Sequence, residues 1–103
     1  EVSLIPWRIL RDSVDCCTSV PDDHVSKTVA MLRNKYFYDK EIVGGECSTP
    51  GIISLISTCE NKNLKKKLEI SENSNILVIG CEGDADKKLY ENLLSKGITQ
   101  LSK

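Results

Sequence analysis

The sequence predicts an α/β fold: a helix-rich slice of a doubly covered sheet, with one clear buried strand and about five helices. Two observations predict it. Asn75, Ile76, Leu77, Val78, Ile79, Gly80 and Cys81 form a continuous, largely β-branched apolar run, which suits a strand buried on both faces. Most of the remaining chain carries apolar residues at helical spacing. At 103 residues the chain suits one small domain or part of a larger one. A core at this size is possible but thin.

The first helix is expected over residues 6–17, with Pro6 at its first position. Its apolar face is Trp7, Leu10, Val14 and Cys17. Val20, Pro21, Asp22 and Asp23 break the pattern, and Asp22 or Asp23 can cap a second helix over residues 23–34. Its stripe is Val25, Val29 and Leu32, with Ala30 and Met31 alongside. A polar, aromatic loop follows. Ile42 and Val43 make a short apolar run ended by Gly44 and Gly45. Ser48 or Thr49 caps a third helix, whose first turn holds Pro50. Ile52, Ile53, Leu55, Ile56 and Cys59 form its buried side. Residues 61–70 read as a lysine-rich fourth helix anchored by Leu64 and Leu68. After the strand, a turn from Glu82 leads into a last helix over residues 86–94. Its inward residues are Leu89, Leu93 and Leu94, and Lys96-Gly97 ends it.

This pattern carries a tension. A strand apolar on both faces wants neighbours, and the only other candidate is the short run at Ile42 and Val43. Isolated, the slice exposes strand edges and helix faces. Self-association through those surfaces is therefore expected.

Composition narrows the function. The formal net charge is −1, which gives no footprint for nucleic acid or an anionic membrane. The basic run Lys65-Lys66-Lys67 reads as a solvated helix face. No apolar stretch is long enough to span a membrane, and no signal peptide opens the chain. The chain starts at Glu1 in mid-pattern, which reads as a processed chain or a piece of something longer. Five cysteines, one adjacent pair and no regular spacing argue against a disulfide framework. With His24 as the single histidine, a zinc site is not expected. Free thiols point to the cytoplasm.

Two places combine an apolar run, a glycine-bearing turn and a helix start. Ligands of open α/β sheets collect at such points, where helix N-termini add positive potential and free N–H groups. The first is Gly44-Gly45-Glu46-Cys47-Ser48-Thr49-Pro50-Gly51. Glycines admit close backbone approach, and Cys47 near a helix start is a candidate for a lowered thiol pKa. The second is Gly80-Cys81-Glu82-Gly83-Asp84-Ala85-Asp86, dense in carboxylates. A plain turn with a helix cap remains the alternative at both. The second lacks the spacing of an EF-hand. Nothing in the sequence brings His24 to Cys47 or Cys81, so a Cys-His nucleophile is not expected.

Three ordered stretches resemble one family. Trp7-Arg8-Ile9-Leu10-Arg11-Asp12 followed by Val20-Pro21-Asp22 resembles the W-x-[IV]-L-R-D…C-P-D stretch of diaminopropionate ammonia-lyases. Ile42-Val43-Gly44-Gly45-Glu46-Cys47-Ser48 is similar to their I-V-S-G-E-S-G segment. Asn73-Ser74-Asn75-Ile76-Leu77, then Glu82-Gly83-Asp84-Ala85-Asp86-Lys87-Lys88-Leu89-Tyr90, resembles their S-R-V-L…S-T-E-G-D-T-D-x-x-x-Y ending. The family belongs to the fold-type-II, tryptophan-synthase-β-like enzymes that use pyridoxal 5′-phosphate.

The resemblance implies a parent that converts 2,3-diaminopropionate to pyruvate and ammonia by α,β-elimination. It implies a homodimer acting on a small amino acid, with no nucleic-acid or membrane partner. Residues 1–103 then form a single C-terminal segment of the large domain. The family's Schiff-base lysine lies upstream of the matched region, and none of the eleven lysines here sits in such a motif. The chain alone is therefore expected to be inactive. The cofactor-binding positions carried over are Gly45, Glu46, Gly80, Cys81, Gly83 and Asp84. Gly80 or Cys81 takes the place facing the pyridine nitrogen, with Cys81 the better candidate as a weak S–H donor. Gly83 and Asp84 keep the turn's shape. Glu46 aligns with a glutamate that opens a helix near the cofactor ring. Three departures fall at this pocket: Ser48 replaces a glycine, Thr49-Pro50 replaces small or apolar residues, and Gly80-Cys81 replaces Ser-Thr. Another fold-type-II deaminase, a thiolase β-subunit or a non-catalytic interaction module are the other readings.

Overall fold

A computed structural model describes residues 3–103; Glu1 and Val2 lie outside the described residues. The described residues form five α-helices: α1 (Leu4–Ser13), α2 (Val25–Arg33), α3 (Pro50–Glu60), α4 (Lys62–Lys67) and α5 (Lys87–Leu101). Short 3₁₀ turns at Asp22–His24 and Glu46–Ser48 lead into α2 and α3.

The expected α/β class is not observed: among the described residues no strand forms. A strand exists only as one side of a hydrogen-bonded ladder. Residues 75–81 are non-helical, but among the described residues they have no ladder partner. Ile42 and Val43 do not supply one, because the Ile42 N–H turns back to the Leu32 carbonyl at 3.1 Å. Nor is the segment buried on both faces. Val78 is half-buried and faces α3, where a Cβ on Gly51 would stand 2.8 Å from its Cγ1. Leu77 and Ile79 face outward, 86% and 75% exposed.

The core is built on α2. Of the predicted stripe, Val29, Ala30 and Leu32 are buried there while Val25 and Met31 are half-buried, and Ile53 of α3 and Tyr90 of α5 complete the core. Helix α5 crosses α2 at Gly97, where an added Cβ would fall on the Ser26 backbone carbonyl and 2.8 Å from Ala30 Cβ. This closeness explains why Gly97 does not end the helix. Its missing side chain admits a neighbouring backbone, and α5 runs on to Leu101. The buried positions of α5 are Tyr90 and Gly97; of the residues expected inward, Leu93 and Leu94 are half-buried and Leu89 is exposed.

Several other apolar stripes lack cover. Helix α1 buries no residue, and Trp7, Leu10 and Val14 are exposed. In α3, Ile52, Leu55 and Ile56 are half-buried and Cys59 is exposed. The α4 anchors Leu64 and Leu68 are exposed as well. The accessible surface is 8321 Å², against about 5,800 Å² for a folded monomer of this mass. The radius of gyration is 15.2 Å, where about 13 Å is usual at this length. A periodic apolar face guarantees only that a helix can be covered, and here α2 is the helix that this chain covers well.

Helix ends follow local chemistry. Asn61 caps α4 by accepting from the Asn63 and Leu64 N–H groups, both at 3.1 Å. Asp86 caps α5 by accepting from Leu89 N–H at 3.0 Å. Helices α2 and α4 both end in a left-handed residue, Lys35 with φ 62° and Glu69 with φ 55°. The N–H groups of Tyr36 and Ile70 then reach back to the carbonyls of Met31 and Lys65, each at 3.0 Å. This is the closing bond of a Schellman motif.

Candidate functional site: two turns joined at Glu82

The two glycine-bearing turns singled out in the sequence lie against each other. Their junction is Glu82. Its carbonyl accepts from the Gly45 N–H at 3.0 Å and from the Ser48 hydroxyl at 2.6 Å. Its N–H donates to the same Ser48 oxygen at 3.0 Å. Its carboxylate accepts from the Cys47 N–H at 2.8 Å. One residue of the second turn thus satisfies three polar groups of the first.

The local sequence explains the approach. Gly45 is buried, and a Cβ there would stand 2.5 Å from the Gly83 carbonyl oxygen and 2.8 Å from the Glu82 side chain. A Cβ on Gly80 would stand 3.2 Å from the Ser48 hydroxyl. Glycine at both positions lets the two backbones meet. Glu46 opens the 3₁₀ turn, and its carbonyl accepts from the Thr49 hydroxyl at 2.7 Å, so the buried Thr49 ties the turn to the start of α3.

The positions carried over from the resemblance divide into three groups. Gly45, Gly80 and Cys81 sit at the junction, where the Cys81 S–H donates to the Cys47 carbonyl at 3.5 Å. Glu46 is exposed at its edge. Gly83 has open space around it, and Asp84 is exposed. Asp86 follows the capping alternative. Local sequence marks Ser48 only as a candidate helix cap and gives Glu82 no role of its own. The signal for Ser48 was available: it stands where the resembled family has a glycine, and its hydroxyl is what binds the second turn. Tyr90 was also missed. It is 9% exposed, and its hydroxyl has no hydrogen-bond partner.

The electrostatics correct one expectation. The Cys47 thiol is not lowered by its place near a helix start. The Glu82 charge and a hydrogen bond to that carboxylate raise it above its ordinary value of 9.0. A carboxylate beside the thiol outweighs the weak potential of a single 3₁₀ turn. Burial likewise raises the Tyr90 phenol, and nearby Asp84 adds to the rise while Arg33 opposes it.

Two recesses flank the junction. Between the turns and α5 lies a pocket of about 10 Å³, lined in part by Gly45, Glu46, Glu82 and Tyr90. That is room for about one water. On the other side, a groove of about 420 Å³ runs from Gly44, Ser48, Gly80 and Glu82 to the apolar residues of α2 and α3. No lysine lines either recess. His24 lines a separate groove with Lys27 and Glu60, away from Cys47 and Cys81. Among the described residues no cluster of His, Cys, Asp or Glu is arranged to hold a metal ion. No described helix is long and apolar enough to cross a membrane.

These residues do not by themselves hold pyridoxal 5′-phosphate. The hydroxyl of Ser48 and the S–H of Cys81 are both engaged by carbonyls, and Gly80 has no side chain to offer. No lysine lines the recesses to meet an aldehyde.

Comparison with known proteins gives distant, partial matches. The chain is 29% identical to the diaminopropionate ammonia-lyase of Escherichia coli strain K12 over 100 residues, covering 94% of this chain and 25% of that protein. It is 25% identical to the diaminopropionate ammonia-lyase of Salmonella typhimurium strain LT2 over 101 residues, with the same coverage. The chain thus spans about a quarter of the length of these curated relatives. No family model and no solved structure matches.

Proposed function

We propose that this chain is the C-terminal part of a pyridoxal-phosphate-dependent ammonia-lyase, and that the parent converts 2,3-diaminopropionate to pyruvate and ammonia. The observation that carries the reading is a similarity running through 94% of the chain, together with the meeting of its two glycine turns at Glu82. In this reading the junction forms one wall of the cofactor pocket. The lysine and the phosphate-binding groups come from the rest of the parent, so the present chain is inactive alone. The uncovered faces of α1 and α3 then pack against that remainder. The parent is a cytoplasmic homodimer acting on a small amino acid.

The test is an assay of the parent protein for pyruvate and ammonia released from 2,3-diaminopropionate, with serine and threonine as competing candidates. Release from diaminopropionate alone supports the reading. Preference for serine or threonine replaces it with another deaminase of the same cofactor class. Adding pyridoxal phosphate to the present chain should give no saturable visible band. A borohydride-trappable adduct on one lysine would show that the chain holds the cofactor itself.

A further inference from the structure

The junction carries one thiol on each of its two facing turns. Cys47 and Cys81 are both exposed and free, on turns fastened to each other by the bonds to Glu82. The Cys81 sulfur lies 3.5 Å from the Cys47 carbonyl oxygen. By standard backbone dimensions that places it within about 6 Å of the Cys47 Cα. A disulfide needs its Cα atoms about 4.4–6.8 Å apart, so closure calls for side-chain rotation and for whatever movement of one turn brings the two Cα atoms into that range.

We propose that Cys47 and Cys81 are a redox modification site that closes into a disulfide across the two turns, with the Glu82 carboxylate restraining closure. The oxidant is a low-molecular-weight disulfide. The Cys81 thiolate attacks one of its sulfurs, the oxidant's S–S bond breaks, and one thiolate leaves. Cys47 then loses its proton to water, and its sulfur attacks the Cys81 sulfur and expels the second thiolate. Two thiols become one disulfide. Two electrons pass to the oxidant, and the two protons end on the two thiols released. Glu82 slows the second step because its charge disfavours the Cys47 thiolate. The other cysteines lack this arrangement. Cys16 and Cys17 are sequence neighbours, and Cys59 lies on α3. The inference concerns this chain's own thiols and stands whether or not the parent is a lyase.

The experiment treats the chain with glutathione disulfide at neutral pH and maps peptides by mass spectrometry without reduction. A peptide bridging Cys47 and Cys81 within one chain is expected, absent in Cys47→Ser and in Cys81→Ser. In Glu82→Gln the bridge should form at least about twofold faster. A bridge dominated by Cys16, Cys17 or Cys59, a bridge between chains, or glutathione adducts alone would overturn the proposal. An unchanged rate in a folded Glu82→Gln would remove the restraining role of Glu82.

Discussion

Ser48 and Glu82, 34 residues apart, exchange two hydrogen bonds through one hydroxyl, which donates to the Glu82 carbonyl at 2.6 Å and accepts from its N–H at 3.0 Å. Ser48 is buried, so its loss leaves the Glu82 N–H without this partner. Ser48→Ala should lower stability by about 1–2 kcal/mol, the usual net worth of two part-buried hydrogen bonds. Urea unfolding followed by far-ultraviolet circular dichroism measures it. An unchanged midpoint would mean that water replaces the hydroxyl.

Gly97→Ala should destabilise the chain by about 1–3 kcal/mol, because its methyl group overlaps the Ser26 backbone where α5 crosses α2. Gly83→Ala is the matched control. Its Cβ meets nothing within 4 Å, and no described glycine has a positive φ. It should shift stability by no more than about 0.5 kcal/mol. Equal effects at the two sites would refute the close crossing.

Glu69 ends α4 in the left-handed region, where a side chain is disfavoured. Glu69→Gly relieves that at an exposed site. Thermal unfolding should show a gain of about 0.5–1 kcal/mol, offset in part by the greater freedom of glycine in the unfolded chain. A loss would indicate that the Glu69 side chain makes a stabilising interaction.

Alkaline pH should destabilise the fold. Cys47 and Tyr90 both titrate above their ordinary values of 9.0 and 10.0 in the folded chain. The folded state therefore keeps protons that the unfolded state releases. The associated stability is fully present below the unfolded values and is lost as pH rises through the folded ones. Tyr90→Phe removes the upper part of this loss. At neutral pH it should be neutral or stabilising, because the buried hydroxyl has no partner. A Tyr90→Phe chain that is weaker at neutral pH would reveal a bound water or another partner for that oxygen.

The helices were legible in the sequence because their signals are local. Pro50 marks the start of α3, Asn61 and Asp86 cap their helices, and the Val29–Leu32 stripe identifies the core face. The strand was misread because an apolar β-branched run records a preference, whereas a ladder needs a partner. Residues 75–81 find none among the described residues. Gly97 was misread for a related reason. Glycine after a helical stripe suits a C-cap, but it also suits a close crossing, and only the position of Ser26 decides between them. The candidate site was half legible. Both turns were evident from their glycines, but their meeting depends on long-range bonds from Ser48 and Glu82, which no local pattern encodes.

The exposed helix α1 has a spectroscopic consequence. It carries Trp7, the only tryptophan in the chain, and buries no residue. Indole fluorescence therefore reports the solvent and quenchers around α1 and is nearly blind to the junction of α2 with α5. Loss of the core should leave the emission maximum almost unchanged, while a surface that settles on α1 should shift it to the blue.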